Sequence, residues 1–99
     1  MSFLIAQPEI LAVAADELQT INAAVGMGSS AAAGPTTGVV PAAADVVSLL
    51  TAAQFASHAR RFQEISVQAA TVRERLAATL GISAGSYAAT EAANAAVVG

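Results

Sequence analysis

The sequence predicts an all-α fold, an antiparallel two-helix hairpin. Three observations carry that prediction. Alanine, the strongest helix former, fills 27 of the 99 positions. Two long stretches repeat apolar residues at alternating steps of three and four, the period of one helix face. Between them lies a segment punctuated by Gly34, Pro35, Gly38 and Pro41, which reads as the connection.

Helix 1 is predicted over about 8–33. Pro8 suits the first helical position, where its missing N–H costs nothing. Glu9 places a negative charge at the positive end of the helix dipole. Leu11, Ala14, Leu18, Ile21 and Val25 then form an apolar face, with Asp16, Glu17, Gln19, Thr20 and Asn22 at polar positions. Gly34-Pro35 is expected to end the helix, and 34–44 to form the loop. Helix 2 is predicted over about 45–80, with Asp45 as its N-cap. Phe55, Phe62, Ile65, Ala69, Val72 and Leu76 make an apolar stripe, and Arg61, Glu64, Gln68, Thr71 and Arg75 a polar one. The first half of helix 2 is apolar around most of its circumference, through Val46, Val47, Leu49, Leu50 and Phe55. Gly81 is expected to be the C′ residue that stops it. The hairpin domain is then 1–81, and 82–99 is a tail of small residues.

Composition limits the function classes. There is no Cys, so no disulfide framework, thiolate metal site or cysteine nucleophile. The net charge is −3, with four Arg and no Lys, which lacks the basic patch of a nucleic-acid binder. The N-terminus has no basic region and too short an apolar run for a cleavable signal peptide. The uncharged stretch from Leu18 to Ala44 is broken by four Gly and two Pro, so no transmembrane span is expected. No cofactor is expected either.

A hairpin buries one stripe per helix, and this chain carries more apolar surface than that. Contiguous exposed apolar surface marks interaction sites. The residues therefore predict a chain that completes a helical bundle with another chain. A different protein and further copies of this one are equally open on composition. Candidate interface positions are Leu11, Leu18, Ile21, Val46, Leu49, Leu50, Phe55, Phe62, Ile65, Val72 and Leu76. Their division between sister helix and partner is open.

Catalytic motifs are weak. Gly81-Ile82-Ser83-Ala84-Gly85 matches G-x-S-x-G, the signature of a serine esterase using Ser83. That motif requires a strand-to-helix turn, with acid and histidine following the serine. Here a helix precedes it, only Glu91 follows, and the sole histidine is His58. Gly26-Met27-Gly28-Ser29-Ser30-Ala31 resembles G-x-G-x-x-A but lacks a preceding strand. His58 has no second His or Cys to share a metal with, so a polar interface residue is the plainer reading. Tyr87 and Glu91 are four apart and share a face if the tail is helical.

Several of these features occur in a recognisable order. Met1-Ser2-Phe3, Pro8-Glu9, an Ala-rich helical hairpin and Tyr87-Ala88-Ala89-Thr90-Glu91 together resemble the PE family of mycobacteria, named for its Pro-Glu pair. The resemblance covers the whole chain. It implies a non-enzymatic protein that pairs with a PPE protein, two helices from each chain forming a four-helix bundle. It further implies export through a type VII secretion system, with the signal Y-x-x-x-D/E falling on Tyr87 and Glu91. An EspG-type chaperone would bind the pair in the cytosol through the PPE subunit, before delivery to the outside or the cell surface. Many members carry a long C-terminal extension, so the chain is either a PE-only protein or the PE portion of a longer one.

Overall fold

The computed structural model describes residues 7–98. It contains two helices and, among the described residues, no strand: α1, Pro8–Thr37, and α2, Val46–Val98. Met1-Ser2-Phe3 lies outside the described residues.

α1 starts where proline predicts. The Gln7 carbonyl accepts from the N–H groups of Ile10 (3.1 Å) and Leu11 (3.3 Å). Pro8 and Glu9 occupy the first turn. The end differs from the expected 33: α1 runs through Pro35 to Thr37. Proline disfavours a helical residue before it partly by clashing with that residue's Cβ, and Gly34 has none. The Thr36 and Thr37 hydroxyls donate back to the carbonyls of Ala32 and Ala33, both at 2.5 Å. The turn closes with the Gly38 N–H donating to the Gly34 carbonyl at 3.0 Å. A Cβ on Gly38 would lie 3.1 Å from that oxygen, so glycine fits the close approach.

Asp45 is the N-cap of α2. Its Oδ1 accepts from the Ser48 N–H and its Oδ2 from the Ser48 hydroxyl, both at 2.9 Å. The second expected boundary also moves. Gly81 does not stop the helix, and 82–98 continue α2 instead of forming a separate tail. No described glycine has a positive φ, so neither Gly81 nor Gly85 forms a left-handed cap. A helical glycine costs only about 1 kcal/mol. Flanking alanines and the burial of Ala84 offset that cost.

The chain divides into two compact units. The loop unit, Ala23–Thr71, is a helix–loop–helix. Ala52 and Ala56 are buried in it, and Gly26, Ser29, Ala32, Ala33, Ala59, Gln63 and Ser66 are half-buried. Gln63 crosses its seam: Nε2 donates to the Ser29 carbonyl at 3.1 Å, and the Ser29 hydroxyl donates to Oε1 at 3.4 Å. The terminal unit joins α1 up to Asn22 with α2 from Val72. Its buried residues are Ala15, Ala77 and Ala84, with Leu11, Ala14, Leu18, Arg73, Leu80 and Ser83 half-buried. Arg73 Nε donates to Asn22 Oδ1 at 2.6 Å.

The fully buried core is therefore alanine, with larger side chains only half-buried beside it. The inward positions of α2 are Ala52, Ala56, Ala59, Gln63, Ser66, Ala70, Arg73, Ala77, Leu80 and Ala84. Each lies four or three residues after the last, the spacing of a coiled-coil seam. Ala77→Leu, at a position 1% exposed, should destabilise by about 1–3 kcal/mol through overpacking. Val47→Ala, on the outside, should shift stability by less than about 0.5 kcal/mol. Urea unfolding of both variants checks the pair.

The Asp45 cap is also testable. Its carboxyl is held below the ordinary carboxylate range by the Ser48 N–H and then by the Ser48 hydroxyl. A pKa lowered by folding contributes stability above the unfolded value of about 4. That contribution is lost as pH falls through the lower folded value. Asp45→Ala should lower the Tm at neutral pH, and its gap from the unsubstituted chain should close below about pH 4. Thermal melts by circular dichroism across pH 2–7 are the check.

Candidate functional site

Because the seam takes small residues, the large apolar side chains of α2 point elsewhere. Phe55, Phe62, Ile65, Val72 and Leu76 are all at least half exposed. At about 100° per residue they lie on the flank of the helix beside the seam. The opposite flank carries Ser57, Arg61, Glu64, Gln68, Thr71 and Arg75, all exposed. α2 thus has three faces: a small-residue seam, an apolar flank and a polar flank. The amphipathic stripe visible in the sequence is the apolar flank, not the contact with the sister helix.

Other candidate interface residues divide the same way. Ile21, Val46, Leu49 and Leu50 are exposed. Leu11 and Leu18 are half-buried and contribute to the interior of the terminal unit. In the loop unit, the apolar flank borders an open groove of about 400 Å³. Ala32, Pro35, Thr36 and Val39 form one side of it, and Phe55, His58, Ala59 and Phe62 the other. His58 is exposed at the groove wall.

The catalytic motifs take helical form. Gly81–Gly85 lies wholly within α2, so Ser83 stands on no strand-to-helix turn. Ser83 belongs to the terminal unit and His58 to the loop unit. Gly26–Ala31 lies inside α1, with no strand before it. Among the described residues no group of three or more His, Cys, Asp or Glu could hold a metal ion. No described helix is long and apolar enough to cross a membrane.

The Tyr87 and Glu91 pair gains geometry. Both sit on α2, one turn apart, and therefore share a face. Tyr87 is 46% exposed and Glu91 is exposed. Sequence reasoning missed the seam itself. Its signal was the four-three spacing of Ala52, Ala56, Ala59, Gln63, Ser66 and Ala70, which runs beside a larger stripe of equal period.

Comparison with known proteins gives a consistent result. The PE family profile matches residues 4–94. The PE family protein PE13 of Mycobacterium tuberculosis is 59% identical over 96 residues, 97% of this chain and 97% of that protein. The PE-PGRS family protein PE_PGRS5 of the same organism is 53% identical across 96% of this chain, which spans only 16% of its length. PE8, also from that organism, is 47% identical across 95% of this chain and 34% of its own length. By the extent and strength of these matches, the chain belongs to the PE family.

Proposed function

We propose that the chain is a non-enzymatic partner subunit. It folds with a PPE protein, each contributing two helices to a four-helix bundle, and the folded pair leaves the cell through a type VII secretion system. The observation that carries the pairing is the exposure of Phe55, Phe62, Ile65, Val72 and Leu76 on one flank of α2, while the seam takes mainly small residues. Each of these large side chains is already partly covered, so completing its burial gains roughly half of the ~1.5–3 kcal/mol of a fully exposed side chain. Ile21, Val46, Leu49 and Leu50 extend the apolar surface available to the partner.

Export is assigned to Tyr87 and Glu91 in the pattern Y-x-x-x-D/E. Helical presentation of both side chains on one face supports a recognition role for them. The chaperone contact, of the EspG type, is assigned to the PPE subunit, and none is assigned to residues of this chain. The final location is outside the cell or at its surface, after a cytosolic stage bound to the chaperone.

Co-expression tests the pairing. A PPE protein should copurify with this chain at a 1:1 ratio. Phe62 is 57% exposed in the chain itself. Phe62→Ala should therefore cost about 3–5 kcal/mol in the pair, where the ring is buried, measured by thermal or urea unfolding of the complex. An unchanged melting temperature removes Phe62 from the interface. Recovery of a homo-oligomer with no PPE protein bound would replace the heterodimer.

Tyr87→Ala tests export separately. The variant should form the complex normally and be missing from the culture filtrate and cell surface, as read by immunoblot of each fraction. Normal secretion of that variant removes the signal assignment.

A further inference from the structure

The apolar flank of α2 is interrupted at one edge by a cation. Arg73 stands beside Val72 and one turn before Leu76, which are 63% and 51% exposed. Along the stripe itself, Phe55, Phe62, Ile65, Val72 and Leu76 carry no formal charge. Arg73 is half-buried at the border of seam and flank. Its Nε donates to Asn22 Oδ1 at 2.6 Å. A guanidinium has five N–H donors and cannot be deprotonated. Among the described residues the polar contact of Arg73 is that one bond to a neutral amide, which leaves four donors and the charge without a carboxylate.

That arrangement is unproblematic while water reaches the guanidinium. It changes when a helix covers the flank. Val72 and Leu76 are then buried, and Arg73, at the seam edge of the flank, loses water on that side. A buried charge without a counter-charge is strongly unfavourable, whereas a carboxylate placed in reach of the fork gives a bidentate, charge-assisted pair. Arg61 and Arg75 lie on the opposite, polar flank. They stay in water when the apolar flank is covered, so they discriminate little between partners.

We infer that the partner covering the apolar flank is a helix bearing an Asp or Glu side chain that meets Arg73, and that this pair selects among partners of similar apolar shape. Selection follows because a partner lacking the acid leaves the cation buried and unpaired, an unfavourable element against the wrong chain. The inference rests on the reading that a partner helix covers this flank of α2.

The experiment uses the full chain co-expressed with its copurifying PPE protein, and reads the yield and affinity of the pair. Phe62→Asp should release the partner. Arg73→Glu should weaken the pair by about tenfold or more, and Arg73→Lys should weaken it less. Changing the partner's acidic residues to Lys one at a time, against Arg73→Glu, should identify a single position that restores binding. Asn22→Ala removes the amide that Arg73 meets within the chain, together with Asn22's other contacts, keeps the cation, and should leave affinity within about twofold. If Phe62→Asp keeps its partner, the flank is not the docking face and both readings fall. If Phe62→Asp releases the partner but Arg73→Glu binds normally, the acid pairing alone falls. If Asn22→Ala weakens the pair as much as Arg73→Glu and no partner substitution rescues, Arg73 braces its own chain and the inference is overturned.

Discussion

The packing of α1 against α2 through alanine, glycine and serine is the constraint on which the rest of the structure depends. Interaxial distance follows the side chains at the contact, and small ones give short distances. Such a seam contributes little apolar area per residue. Ala77 and Ala84 are almost completely covered, yet each buries only a methyl group. Dispersion contacts between closely spaced backbones and the crossings of Gln63 to Ser29 and Arg73 to Asn22 hold the pairing in register. Alanine alone would specify register weakly, since one methyl group packs much like the next.

The outward placement of the large residues follows from the same constraint. Phe62 and Ile65 do not sit in the seam, whose fully buried positions are all alanine. They take the flank, one helical step away. The chain therefore holds its strongest source of hydrophobic free energy on the outside. In the proposed assembly the seam organises each unit, and the flank supplies the driving force for association. One face is thus specialised for geometry and the other for energy.

Helix content, the position of the connection, the Asp45 cap and the start at Pro8 were legible because each rests on local chemistry. The ends of both helices were not. Gly34-Pro35 reads as a terminator, but Gly34 has no Cβ to clash with the proline ring, and α1 continues through it to Thr37. Gly81 reads as a C-cap, but the burial of Ala84 carries α2 past it. In both cases the local context of the breaker residue outweighed its propensity. The stripe of Phe55, Phe62, Ile65, Val72 and Leu76 was also visible in the sequence. Its direction was not, because a hydrophobic pattern does not say which of two adjacent stripes meets the sister helix. Only the size of the residues in the neighbouring stripe decides that.

The most direct test of this account is the solution mass and helicity of the chain expressed alone, by light scattering and circular dichroism, beside the same measurements on the chain co-expressed with a PPE protein. An exposed flank of large apolar residues predicts aggregation or poor folding alone, and a soluble, highly helical 1:1 pair together. A stable helical monomer in the absence of any partner would contradict it, since that chain would need nothing to cover the flank.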